Sequence, residues 1–274
     1  SLAAFYQQIR VGHVEAGLRT YDKYSPYPEE MNRILTGRIA DLHFAPTERN
    51  RQNLLREAIP DEAVFITGNT VIDALLQVAG KPYEFEDETL KKIDFEKRRV
   101  ITVTCHRREN LGENMEQIFL AIRDIAEEFE DTEIIYPVHI NPKVRETAGR
   151  VLGNTGRIHL IEPLQYQPFS NLMARSYLII TDSGGIQEEA PSLGKPVLVV
   201  RKETERPEAV EAGTVKLAGV ERDTIYQMTK ELLTDEAAYG RMARAVNPYG
   251  DGHACERITE ILLSYGNQAN YNRK

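Results

Sequence analysis

The 274-residue sequence has no tryptophan, only two cysteines, and no apolar run approaching the length that spans a bilayer. Cys105 and Cys255 stand far apart and show no metal-ligand spacing, so reduced thiols are expected rather than a disulfide framework. No signal-peptide pattern opens the chain. Basic residues are scattered and the net charge is −8, which leaves no electrostatic footprint for nucleic acid. A local anion site is not excluded by that balance, because a helix start and one or two arginines can hold a phosphate. The chain also lacks the Walker and dinucleotide glycine fingerprints, an elbow around a nucleophilic serine, and a paired-histidine metal motif. These absences predict a cytoplasmic protein without a membrane or nucleic-acid partner, using neither metal nor cofactor.

What is present is ordinary globular composition, with enough length for one large domain or two moderate ones. From residue 99 onward, short β-rich runs at 99–104, 132–138, 157–162, 177–182, 196–200 and 214–218 alternate with helical patterns. One such helix is 115–129, with Ile118, Ala121, Ile122 and Ile125 at helical spacing. Strands alternating with helices predict a parallel sheet covered on both faces, and hence an α/β fold. Before residue 70 the same alternation supplies too few strands for an independent sheet. There, 28–42 reads as a helix with Pro28 in its first turn, and Thr47 as the cap of the next helix. "VFITGNT" (64–70) reads as a strand whose Thr70 opens a further helix. The polar stretch 80–98 has weak periodicity and reads as variable surface structure. The opening "SLAAFYQQIR" reads as a helix already under way that runs into a buried-looking "VGHVEAG", as if the front of a longer protein were missing.

Three strand ends carry the chemistry-bearing residues. In "TDSGGIQEE" a strand ends at Asp182, and Ser183, Gly184 and Gly185 turn into a helix beginning near Ile186. Glycines permit close backbone approach, a helix start favours phosphate, and a glutamate there could accept from sugar hydroxyls. A plain glycine turn whose glutamates complement the helix dipole accounts for the same residues. "CHRREN" sets His106, Arg107 and Glu109 at a second strand end, and "YPVHINP" sets His139 at a third. Such residues line clefts in α/β domains, and they also occur on ordinary charged loops. Arg206 ahead of Pro207 could meet a phosphate or neighbouring glutamates, and Phe169 could cover a base or fill the core. Upstream, "GHVEAGLRTYDKYSPYPEEMNR" (12–33) gathers His13, Glu15, Glu29, Glu30 and two arginines around a proline-broken loop. Carboxylates on opposite faces of a substrate can supply a general acid and a general base.

In chain order, "GHVEAGLRT", "YPEEMNR", "FITGNTVIDAL", "CHRREN" (a variant of the usual "THRREN"), "YPVHINP", "TDSGGIQEEAPSLGKPVLV", "TERPEAVEAGT" and "NPYGDGHACERI" together resemble one family. It is that of the bacterial and archaeal non-hydrolysing UDP-N-acetylglucosamine 2-epimerases. The resemblance implies a glycosyltransferase-B-type fold of two Rossmann-like domains with parallel sheets, the first incomplete, and an active site in the cleft between them. The implied division is 1–69 for the rest of the first domain and 70–250 for a complete UDP-binding domain. A C-terminal helix at 251–266 would pack back towards the first domain, and 267–274 would be a mobile tail.

The implied activity is interconversion of UDP-N-acetylglucosamine and UDP-N-acetylmannosamine through UDP and 2-acetamidoglucal. By the same resemblance Glu15, Glu29 and His106 are catalytic, and a further aspartate would precede residue 1. Ser183, Gly184 and Gly185 would meet the diphosphate and Glu189 the ribose, with Arg206 and Phe169 as further UDP contacts. Arg107, Glu109 and His139 would belong to an activating second site for UDP-N-acetylglucosamine, and the protein would be a homodimer serving cell-surface polysaccharide synthesis. Competing functions on the same residues are a UDP-sugar-dependent glycosyltransferase, a hydrolysing epimerase, and a non-catalytic UDP-sugar-binding module.

Overall fold

In a computed structural model, which describes residues 1–24 and 27–271, the chain forms two compact units. One comprises residues 1–74 and 248–274, the other residues 75–247. Ser25 and Pro26 of the proline-broken loop lie outside the described residues.

The first unit opens with a one-turn helix, α1 (Leu2–Tyr6), and strand β1 (Gly12–Val14). Helix α2 (Glu29–Ile39), β2 (Leu42–Ala45), α3 (Glu48–Arg56), β3 (Val64–Ile66) and α4 (Thr70–Ala79) follow, the last crossing into the second unit. The strands form a three-stranded parallel sheet in the order β1-β2-β3. All four residues of the central β2 are buried, whereas Val14 on the margin strand β1 is 42% exposed. The buried-looking "VGHVEAG" is therefore only half covered, because a margin strand has a neighbour on one side alone. Thr47 caps α3 as expected, its hydroxyl accepting from the Asn50 N–H. At α4 the capping side chain is Asn69, which accepts from the Val71 N–H, and Thr70 is the first helical residue.

The second unit contains β4 (Arg99–Thr104), α5 (Glu113–Glu128), β5 (Thr132–Pro137), α6 (Pro142–Leu152), β6 (Ile158–Ile161), α7 (Tyr166–Arg175) and β7 (Leu178–Thr181). It continues through α8 (Gly184–Glu189), β8 (Val197–Val199), α9 (Pro207–Glu211), β9 (Val215–Leu217), α10 (Arg222–Thr234) and α11 (Glu236–Ala243). Its six strands are all parallel, in the order β6-β5-β4-β7-β8-β9. Ile101 and Val103 of β4, Ile179 and Ile180 of β7 and the inner face of α5 are almost fully buried. Each such side chain contributes about 1.5–3 kcal/mol by leaving water.

Most of residues 80–98 lies at the surface, as its polarity suggests, but two of its side chains do not. Phe85 and Leu90 are 5% and 1% exposed and pack on Val100, Ile135, Ile161 and Leu172. Their apolar residues follow neither a helical nor a strand period, so burial there is set by the sheet beneath and not by a local pattern. The chain ends in α12 (Ala254–Tyr271), whose Ile258 packs with Leu42 and Phe44 of the first unit. The beginning of the stretch expected to be a mobile tail is thus helical, and residues 272–274 lie outside the described residues. Among the described residues no helix is long and apolar enough to cross a membrane.

Candidate functional site

In the six-stranded sheet the chain works outward from β4 in one direction and from β7 in the other, so its topological switch point lies between these neighbours. Open parallel sheets collect ligands at the carboxyl ends of the strands beside such a point. Thr104 and Thr181 end the two strands in register, with their hydroxyl oxygens 2.6 Å apart. The segments that follow, 105–110 and 182–189, leave the sheet side by side.

One carboxylate ties them together. Asp182 has no exposed surface, and its Oδ2 accepts from the backbone N–H groups of His106 and Arg107, both at 2.8 Å, and from Asn110 Nδ2 at 3.1 Å. Its Oδ1 is buried without a hydrogen-bond partner and lies 3.4 Å from His106 Nδ1. Asp182 is not among the residues the motifs single out. An aspartate closing a strand reads as turn chemistry, and its partners lie more than seventy positions upstream.

His106 stacks nearly parallel on His139, with ring centroids 5.2 Å apart. Both line a cavity of about 220 Å³ together with Leu164, Phe169 and Ser183. Burial lowers the His106 pKa, the charge of Asp182 opposes that shift, and His139 and Arg107 add to it. The balance favours the neutral imidazole.

The two glycines do not form the turn. They are the first residues of α8, and neither has a positive φ. What glycine supplies here is room. A Cβ on Gly184 would sit 3.8 Å from a terminal nitrogen of both Arg107 and Arg206, so two guanidinium groups flank that backbone. A Cβ on Gly185 would lie 3.5 Å from Glu189 Oε1 and 4.0 Å from Ser183 Oγ, in the space between them. Arg206 donates through Nε to the buried Glu188 and through Nη1 to the Glu205 carbonyl, and Arg107 lies 3.8 Å from Glu205. The Glu189 pKa is pushed up to about 7, chiefly by burial and further by the neighbouring Glu188. The structure thus gathers His106, Arg107, His139, Phe169, Ser183, Gly184, Gly185, Glu189 and Arg206 on one edge of one sheet. Glu109 is on the same edge and pairs with Arg201 at 2.7 Å, which in turn lies 3.5 Å from Glu205.

The acidic residues of the first unit divide into structural and available ones. Glu30 is fully buried and accepts from the Thr20 and Tyr21 N–H groups, which pins the loop after β1 to α2. Arg19 makes a two-pronged bond to Glu57, at 2.6 and 2.9 Å, under the same loop. Glu29, one position earlier, is exposed on the first turn of α2. Glu15 is exposed just past β1 with φ at +59°, a left-handed conformation that costs about 1–3 kcal/mol outside glycine. Its Oε1 accepts from Asn69 Nδ2 at 2.9 Å, so "FITGNT" supplies the residue that fixes the Glu15 side chain. Among the described residues no three His, Cys, Asp or Glu side chains are grouped to hold a metal.

Residues 1–263 match the family model of UDP-N-acetylglucosamine 2-epimerase. The chain is 58% identical over 267 residues to the UDP-N-acetylglucosamine 2-epimerase of Bacillus subtilis, covering 97% of this chain and 69% of that protein. It is similar to S. aureus MnaA solved with UDP, at a TM-score of 0.89 and 53% identity over 97% of this chain and 72% of that one. It is also similar to the UDP-GlcNAc 2-epimerase of Neisseria meningitidis solved with UDP-GlcNAc, at a TM-score of 0.84 and 50% identity over 96% and 72% of the two chains. The α/β fold, with its two parallel sheets, is of the glycosyltransferase-B type that these structures share.

Proposed function

The chain belongs to the UDP-N-acetylglucosamine 2-epimerase family, and from that premise we propose that it interconverts UDP-N-acetylglucosamine and UDP-N-acetylmannosamine by eliminating UDP and adding it back to 2-acetamidoglucal. The observation that carries this reading is the pair of guanidinium groups, Arg107 and Arg206, flanking Gly184 at the switch point of the sheet. Two cations beside bare backbone suit a diphosphate, and suit it better as negative charge grows on departing UDP. Ser183 adds a hydroxyl, and Glu189, beside the open space at Gly185, is assigned to the ribose hydroxyls. The cavity lined by Leu164 and Phe169 is assigned to the uracil ring.

Proton transfer at C2 falls to Glu15 and Glu29, both exposed: Asn69 orients the Glu15 carboxylate through one oxygen, whereas Glu30 is buried against the Thr20 and Tyr21 amides. The C2 proton is only weakly acidic, so a positioned base must act while the leaving diphosphate is stabilised. His106, neutral and beside the diphosphate residues, is assigned to the leaving group. Arg107, Glu109 and His139 are retained as contacts of an activating nucleotide sugar. Arg107, whose guanidinium stands beside Gly184, is in addition assigned to the diphosphate of the reacting one.

Incubation of the full-length protein with UDP-N-acetylglucosamine in heavy water, followed by NMR, tests the proposal. The expected product is UDP-N-acetylmannosamine carrying deuterium at C2, with only trace free UDP. Stoichiometric UDP without the epimeric nucleotide would instead indicate transfer or hydrolysis and overturn the reading.

A further inference from the structure

We infer that Asp182 is a positioning residue for His106: its Oδ1 is the reserved acceptor for the His106 Nδ1–H and fixes which nitrogen of that ring carries the proton. The two oxygens of this buried carboxylate are used unequally. Oδ2 is saturated by three N–H donors that fix the backbone of the "CHRREN" loop. Oδ1 has no hydrogen-bond partner although it is fully buried, an arrangement that costs free energy unless a donor is drawn to it. The titratable or charged groups that face this corner include Asp182, the His106 ring at 3.4 Å, His139 stacked on that ring, Arg107, and Tyr136, whose hydroxyl donates to the Cys105 carbonyl. The Cys105 thiol is beside it as well, held protonated by burial and by Asp182, and a thiol is a weak donor. Arg107 is directed towards Gly184 and Glu205, and His139 meets the face of His106. His106 Nδ1 is therefore the side-chain nitrogen that the structure brings to Oδ1, at 3.4 Å.

The consequence is chemical. With Nδ1 protonated towards Asp182, the neutral ring keeps its lone pair on Nε2. When Nε2 takes a proton, the positive charge formed is opposed by Oδ1 across a short gap. Hydrogen bonds of this kind are commonly long in a ligand-free site and tighten when substrate binds. The assignment rests on the proposed role of His106, but the state of the ring is measurable without any turnover.

Asp182→Asn is the informative variant. The three N–H donors at the Oδ2 position hold the carboxamide oxygen there, which places the NH2 group where Oδ1 was. That group donates to Nδ1 and forces the proton onto Nε2, an exchange of tautomer at nearly unchanged shape. In histidine-labelled protein, two-bond 1H–15N spectra should show neutral His106 as the Nδ1–H form, with its signal identified by loss in His106→Gln. In Asp182→Asn the same signal should switch to the Nε2–H form, and its protonation midpoint should fall. Retained UDP binding and a cooperative unfolding transition check that the variant is folded. An Nε2–H form in the unaltered protein, or a tautomer unchanged in a folded Asp182→Asn, overturns the inference. In the epimerase assay, Asp182→Asn should lose about tenfold or more in kcat, with KM within about twofold. A switched tautomer with unchanged kcat would remove the positioning role. Absence of any epimerisation by the unaltered protein would overturn the proposed function and leave the tautomer result standing.

Discussion

Gly185 and Glu189 set opposite demands on the same few ångströms. In α8 an alanine at 185 is favoured by helix propensity, by roughly 0.5–1 kcal/mol. Its Cβ would meet nothing closer than 3.5 Å, so the ligand-free protein tolerates it. Yet that Cβ fills the gap between Ser183 and Glu189 where the nucleotide is assigned. Gly185→Ala should therefore be as stable as the unaltered protein or slightly more so, and lose about tenfold or more in UDP affinity by calorimetry. Retained affinity would move the nucleotide elsewhere. Glu189 makes a second test, by pH. Its folded pKa, about 7, lies above the ordinary carboxylate value, so the folded state binds the extra proton. Its contribution is fully present below pH 4.5 and is lost as pH rises through 7. Glu189→Gln should gain on the order of 2 kcal/mol over the unaltered protein in urea unfolding at pH 8 and converge with it near pH 4.5.

At the scale of elements, the stretch 80–98 behaves as a clasp over the sheet. Phe85 stacks on Phe95 at 5.5 Å, and the Arg175 guanidinium stands 4.8 Å above the Phe85 ring. Phe85→Ala should cost about 3 kcal/mol through lost burial and the cavity left behind, read as a lower urea midpoint at unchanged slope. A surface position for Phe85, as the polar composition around it suggests, would give under about 0.5 kcal/mol. Composition misleads here because the apolar residues are few and aperiodic, and the partners that bury them are far away in sequence. The strands β4 to β9 were legible for the converse reason. A sheet covered on both faces makes each strand a short run of buried residues, bounded by polar turns. The carboxyl-edge site was legible too, since strand ends are read directly from those runs. Three things were not. Glu29 and Glu30 are equivalent in pattern, and only the fold shows Glu30 bound to the Thr20 and Tyr21 amides. The glycines looked like a turn and are the opening of a helix. Asp182 acts through backbone groups that no side-chain pattern records.

Across the whole molecule, the first unit carries a pair of depressed histidines, and the second sets a raised glutamate against one depressed histidine. In the first unit, His13 is pulled down to about 4 by burial, then by His43, Arg19 and Arg33. His43 is lowered in the same direction, again chiefly by burial. The His13 and His43 rings face each other on paired strands, and both Nδ1 atoms are buried without a hydrogen-bond partner. A histidine whose folded pKa is depressed contributes stability that is present above its unfolded value of 6.5 and lost as pH falls towards 4. That loss amounts to roughly 2 kcal/mol for His13, because solvent screens the partly exposed ring. In the second unit, Glu189 relieves the fold over much of the same descent, while His106 is lowered and partly offsets that gain. The first unit should therefore be the acid-labile one. Urea unfolding at pH 7 and pH 4.5, followed by amide NMR signals from β2 and from β4, should show the β2 midpoint falling well ahead of the β4 midpoint. His13→Gln should remove most of that difference, because it deletes the proton that the unfolded chain gains. Parallel loss at both strands, unchanged by His13→Gln, would mean that burial of the histidine pair does not govern the acid response.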